Sequence, residues 1–183
     1  MTLNCKNIKV TIVLRSHINI RLVEQKCFIS KKKTSTNFRH HELSCVFTIY
    51  NHDLRSLHIT GINQICMISQ IIEFIKFELE NCVELTSIDN SLFTSKQDCF
   101  VPLNDIIRKV NDLKSSPYFC VYIPEIFPAL FLKPIQKDKK SGVPSIILFH
   151  NSSYVIIEGK CMEKVKEANA FVKTICCTLQ TSI

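Results

Sequence analysis

The chain has 183 residues, 46% of them apolar and 21% charged, which suits one folded domain or two small, closely packed repeats and argues against disorder. Three glycines are too few for phosphate-cradling loops. Neither a GxGxxG nor a Walker sequence occurs, which excludes nucleotide binding of those kinds. A net charge of +7 fits an anionic partner without specifying it, and a solvated lysine-rich surface accounts for the same figure.

The ten cysteines are scattered singly except for Cys176 and Cys177, and no CxxC pair occurs. Arg15 and His17 break the first apolar stretch, so no signal-peptide pattern is visible. Reduced thiols, packed as small apolar side chains inside a cell, are expected. His40 and His41 near Cys45 lack the paired spacing of a structural zinc site, and no metal or other cofactor is expected. No apolar run reaches the ~20 residues of a membrane helix. The most apolar segment, 119–132, is interrupted by Pro124, Glu125 and Pro128, so no membrane partner is expected.

Residues 7–14 are rich in β-branched side chains and predict a strand. A short helix over 19–26 and a polar, lysine-rich segment over 30–37 follow. Residues 45–50 and 55–60 read as strands around a turn. Ile65, Ile68, Ile72, Ile75 and Leu79 recur at helical spacing and predict an amphipathic helix of about five turns. The second half repeats this order. It has a strand over 88–95 and a helix over 102–114 opened by Pro102, with Ile106, Ile107, Val110 and Leu113 inward. An extended stretch over 118–132 and a charged loop with Lys137, Lys139 and Lys140 follow. A hairpin of 145–149 and 154–158 leads to a closing helix with Met162, Val165, Ala168, Val172 and Ile175 inward. Two repeats, 1–86 and 87–183, predict an α+β fold. It would have one curved antiparallel sheet, helices on its convex side, and its other face open to a partner.

Tyr122-Ile-Pro-Glu-Ile-Phe127-Pro-Ala-Leu-Phe131 resembles the stirrup motif Y-x-P-E-L-F-P-G-L in the second repeat of the TATA-box-binding-protein (TBP) family. Ile146-Ile-Leu-Phe149 and Val155-Ile-Ile-Glu-Gly159-Lys160 are similar to that family's L-L-I-F and K-V-V-L-T-G-A-K hairpin. Ile88-Asp-Asn90-Ser-Leu resembles its repeat-opening strand. In the first half, Asn7-Ile-Lys-Val-Thr resembles the N-I-V-S-T opening, and Ile59-Thr60-Gly61 the hairpin's T-G. The resemblance covers nearly the whole chain and is densest over 88–176.

It implies a divergent TBP-like protein: a two-repeat saddle, nuclear, that binds the minor groove of A·T-rich promoter DNA. Phe127 and Phe149 would be one pair of wedges entering base steps. Tyr50 with Phe38, or with Phe28 in its place, would be the other. Phenylalanines at this spacing alone would be core; the Pro-Glu and Pro-Ala flanks of Phe127 point instead to a wedge. Asn7 and Asn90 would offer amides to groove acceptors. Period-two alternation puts Asn7, Lys9, Thr11, Ser56, His58 and Thr60 on the open face. In the second repeat it puts Asn90, Leu92, Thr94, Tyr154, Ile156 and Glu158 there. Of these, Thr11, Thr60, Leu92 and Ile156 would line the groove.

Glu158 takes the place of the family's threonine, and Lys9 and His58 that of small apolar residues. A carboxylate there would repel phosphates. The arginine that precedes the hairpin is absent, leaving Lys133, Lys137, Lys139 and Lys140 to compensate. Glu125 matches the acidic residue that holds a TFIIB-type factor. The helix from Ile65 lies where TFIIA-type partners approach. Two functions follow: a TBP-like general transcription factor that bends promoter DNA and nucleates a preinitiation complex, or a TBP-fold protein scaffold that has lost DNA binding. An enzyme has no support, since no nucleophile–base pattern or carboxylate pair stands out.

Overall fold

The computed structural model describes residues 3–97, 100–135 and 142–180; Lys137, Lys139 and Lys140 lie outside the described residues. The chain forms two compact units, Lys6–Asp89 and Asn90–Ile183 with Met1–Cys5. The first contains β1 (Asn4–Leu14, but for its first residues), α1 (Ile20–Lys26), β2 (Phe28–Lys31), β3 (Ser35–Arg39), β4 (Val46–Tyr50), β5 (Asp53–Ile62) and α2 (Met67–Phe77). Its strands are neighbours in the order β2-β3-β4-β5-β1, and every pairing is antiparallel.

A long strand, β6 (Val83–Lys96), crosses the boundary between the units. The second unit adds α3 (Leu103–Asp112), β7 (Tyr118–Val121), β8 (Ala129–Pro134), β9 (Ser145–Phe149), β10 (Ser153–Ile157) and α4 (Met162–Gln180). Its strand order, β7-β8-β9-β10-β6, repeats that of the first unit element for element. Each unit thus has antiparallel strands and two helices.

One face of each sheet is packed and the other is open. Along β1, Ile8, Val10, Ile12 and Leu14 are buried while Asn7 and Lys9 are exposed, the period-two pattern of a half-buried strand. Phe74 of α2 packs against Phe47 of β4, with ring centroids 5.5 Å apart. In the second unit Phe171 of α4 meets Tyr118 at 4.9 Å, and the Tyr154 hydroxyl donates to Asn169 of α4. The helices therefore cover the apolar face, where association removes the most surface from water. Asn19 caps α1 by accepting from the N–H groups of Arg21 and Leu22, which satisfies two of the orphan donors of a helix start.

Several expected elements differ. The helix from Ile65 has 11 residues, Met67–Phe77, or about three turns. Its buried stripe is Met67, Ile71, Phe74 and Ile75, while Ile68 and Ile72 are half-buried and Ile65 is exposed. Seating the Phe74 ring, which buries more area than an isoleucine, turns the helix away from the all-isoleucine stripe. The stretch 118–132 is two strands, because Pro124 and Pro128 lack the donors a ladder requires. The lysine-rich segment 30–37 is the β2–β3 hairpin. The closing helix does bury Val165, Ala168, Val172 and Ile175.

Candidate nucleic-acid interface

The two repeats match residue by residue through their strand registers. Ser35 faces Tyr50 as Ala129 faces Phe149, and Phe38 faces Phe47 as Leu132 faces Ile146. Thr48 faces His58 as Ile147 faces Val155, and Val46 faces Thr60 as Ser145 faces Ile157. Continuing past the paired residues, Gly61 corresponds to Glu158. Two independent features agree with that. Gly61 has φ 85° and Glu158 φ 65°, the left-handed region. The Gly61 N–H donates to Asn7 Oδ1 at 2.8 Å, as the Glu158 N–H donates to Asn90 Oδ1 at 2.9 Å.

Asn7 and Asn90 thus have the same place in each repeat. A backbone N–H can only donate, so the oxygen of each carboxamide is committed to the fold. Each Nδ2 has no partner among the described residues, and both side chains are exposed. Minor-groove edges of A·T pairs present acceptors only, and an amide held this way has two donors to offer them.

Phe127 and Phe149 converge at the stirrup of the second repeat, with ring centroids 6.2 Å apart and planes at 70°. Phe131 lies 5.5 Å from Phe127, and Lys133 Nζ lies 5.9 Å from the Phe131 ring. Phe127 remains 42% exposed, a large apolar ring left in solvent. Leu92 is half-exposed on the same open face. Glu125 is exposed in the β7–β8 turn, next to Ile123 and Ile126, also exposed.

In the first repeat the expected wedges divide. Phe38 is buried at 1% exposure and stacks on Phe47 at 4.8 Å with planes 7° apart. It corresponds to Leu132, a core position, and cannot enter a base step. Phe28 is exposed on the edge strand β2 and faces Arg39 as Phe119 faces Lys133, so it is not the counterpart of Phe127 either. Tyr50, the counterpart of Phe149, is 39% exposed, with rings to His52 at 5.7 Å and His58 at 5.2 Å.

Ile156 is fully buried, as is Tyr154; neither is on the open face. The true open residues of β10 are Val155 and Ile157, with Ile147 beside them on β9. The shared T-G and E-G motifs suggest matching Gly159 with Gly61, but the register matches Glu158 with it. That one-residue slip flips every side chain of the strand. Glu158 is consequently not the counterpart of the family's threonine. It ends the strand, and its carboxylate accepts from Ser145 Oγ at 2.9 Å.

Thr60, Ser56, His58 and Thr11 do line the open face of the first repeat. Thr11 Oγ1 donates to Asp89 Oδ2 at 2.6 Å. Its hydroxyl proton being used, it accepts from His58 Nδ1 at 3.0 Å. Lys9 Nζ lies 4.0 Å from Asp89. The open face of the first repeat is therefore polar, with Asn37, Thr48 and His58 where the second has Phe131, Ile147 and Val155. His40, His41 and Glu42 form a separate cluster, with the His40 ring 4.6 Å from that of Phe74 on α2. His40 Nδ1 already accepts the Glu42 N–H, which leaves the proton on Nε2, 3.6 Å from Glu78 Oε2. That arrangement does not offer His40 as a metal ligand.

No protein-family model and no curated sequence matches the chain. Among solved structures, Methanococcus jannaschii TBP is similar to it with a TM-score of 0.68 and 19% identity, over 96% of this chain and 98% of that one. The chain has the α+β fold of TBP.

Proposed function

We propose that the chain is a TBP-like transcription factor that binds A·T-rich DNA in the minor groove and bends it. It would act in the nucleus with TFIIB-like and TFIIA-like factors, by binding and not by catalysis. The observation that carries this reading is the pair Phe127 and Phe149, apolar rings held together at an exposed turn beside a solvent-open apolar face. A wedge must offset an unstacking cost of a few kcal/mol with surface gained by bending, and the strip Phe131, Ile147, Val155, Ile157 and Leu92 supplies that surface. Asn7 and Asn90 supply donors, and Glu125 stands free for an acidic-residue contact with a partner.

Titration of A·T-rich and G·C-rich duplexes, end-labelled for energy transfer, tests it across a salt series. Tight A·T-preferring binding with a bend and a steep salt slope is expected, with the bend lost in Phe149→Ala. Binding that is absent or leaves the duplex straight overturns the proposal. The polar first repeat, with the Asp89 carboxylate on its open face, favours the second reading, a protein-binding scaffold, and that outcome would select it.

A further inference from the structure

Phe127 lies two residues before Ala129, and Ala129 corresponds to Ser35 through their partners Phe149 and Tyr50. Counting back the same two residues leads to Lys33, in a β2–β3 turn of three residues, 32–34, where the β7–β8 turn that presents Phe127 has seven, 122–128. Where the longer turn of the second repeat presents an apolar ring, the shorter turn of the first presents ammonium groups. Lys33 is exposed between Lys32 and Thr34, and its carbonyl is held by Asn51 Nδ2 at 3.1 Å. Lys31 is paired with Glu24 at 2.6 Å, but Lys32 and Lys33 meet no carboxylate among the described residues. Among the described residues, the rings beside Tyr50 are those of His52 and His58, and no apolar ring joins them. The Tyr50 hydroxyl would lose water on entering a base step, which is costly without a partner.

We infer that the two repeats grip DNA by different means, which rests on the minor-groove function proposed above. The second repeat inserts Phe127 and Phe149 and kinks the duplex. The first inserts nothing; Lys32 and Lys33 take the phosphates beside the groove, over a polar floor of Asn37, Thr48 and His58. The DNA has one unstacked step instead of two.

The test uses the full chain and a set of A·T-rich duplexes, each with 2-aminopurine at a different adenine, together with the bend measured by energy transfer. Wild-type protein is expected to raise fluorescence at one step only. Lys33→Gln should leave that step and the bend unchanged while lowering the slope of log affinity against log salt by about 0.9. Lys33→Phe should add a second unstacked step and enlarge the bend. Two unstacked steps with wild-type protein, or a smaller bend in Lys33→Gln, overturn the inference and leave the minor-groove function standing. A Lys33→Phe protein that still unstacks only one step overturns the assignment of Lys33 to the wedge position. No unstacking at any position, with no bend, overturns the minor-groove function itself and the inference with it.

Discussion

Phe38 and Phe127 show how little a residue type says until its neighbours are known. The first is enclosed, stacked on Phe47; the second projects from a turn bounded by Pro124 and Pro128. Phe38→Ala is expected to destabilise the protein by about 3–5 kcal/mol, the range for emptying a buried aromatic site. Phe127→Ala should change stability by less than ~1 kcal/mol, as surface substitutions do. Urea unfolding of both variants checks this; equal losses would place Phe127 in the core. Cys45 is fully buried, and burial pushes its thiol up from 9.0 to about 11. A raised folded-state value means the native state keeps its proton while the unfolded chain loses it, so the contribution is intact below pH 9 and fades between about 9 and 11. The stability gap between wild type and Cys45→Ala should therefore narrow over that window in paired denaturation curves. A constant gap would contradict it.

At the scale of elements, the hairpins contain the main lesson about what was legible in the sequence. The strands β1, β4, β5, β6, β9 and β10 and the closing helix were readable, because alternation and apolar spacing are local; the Phe127 turn fell inside a stretch read as extended and stood out only through the family resemblance of its motif. The face of β10 was not, because it hangs on matching glycines. From Tyr50 to Gly61 is an odd step along the chain, and from Phe149 to Gly159 an even one. Hairpins that keep the same faces can differ only by an even number of residues, so the parity was a usable signal. It matches Glu158 with Gly61, and a left-handed backbone confirms what counting suggests. The Lys33 turn was unreadable for a related reason, since no motif marks the first stirrup and the β3–β4 register aligns only the strand that follows it.

The same match makes different forecasts for two adjacent positions. Glu158 has φ 65°, a conformation that costs an L-residue roughly 1 kcal/mol and glycine nothing. Glu158→Gly loses the Ser145 hydrogen bond to its carboxylate, of a kind worth about 1.5–3 kcal/mol, and gains backbone ease. Stability should fall by no more than ~2 kcal/mol, while removal of the charge tightens DNA binding at low salt. At Gly159 an added Cβ would lie 2.4 Å from Val165 Cγ2 and 2.6 Å from Ser91 Oγ, just where α4 begins. Gly159→Ala is expected to cost about 1–3 kcal/mol, the range of overpacking. Thermal unfolding of the two variants measures both, and a harmless Gly159→Ala would mean that α4 can shift away.

At the scale of the molecule, the repeats share a topology but not a surface, so a duplex bound by both repeats would meet two unlike partners. Pyrimidine–purine steps such as TA are the cheapest to kink, and a wedge should settle on one. If both repeats inserted side chains, affinity would require such steps at both ends of the site, and removing either would weaken binding. With Phe127 and Phe149 on one repeat and Lys33 on the other, a duplex with a single TA step near one end should bind nearly as tightly as one with TA steps at both. A duplex with neither should bind several-fold more weakly. A wrong base pair in a recognition site costs on the order of 1–3 kcal/mol, ample for a competition titration to resolve. The single-step duplex should also fix the orientation of the bound protein, since only one end of it then accepts the phenylalanines. Equal loss on removing either step would mean that Tyr50 enters the stack after all, and that the lysine turn beside it does not set the geometry of the first repeat.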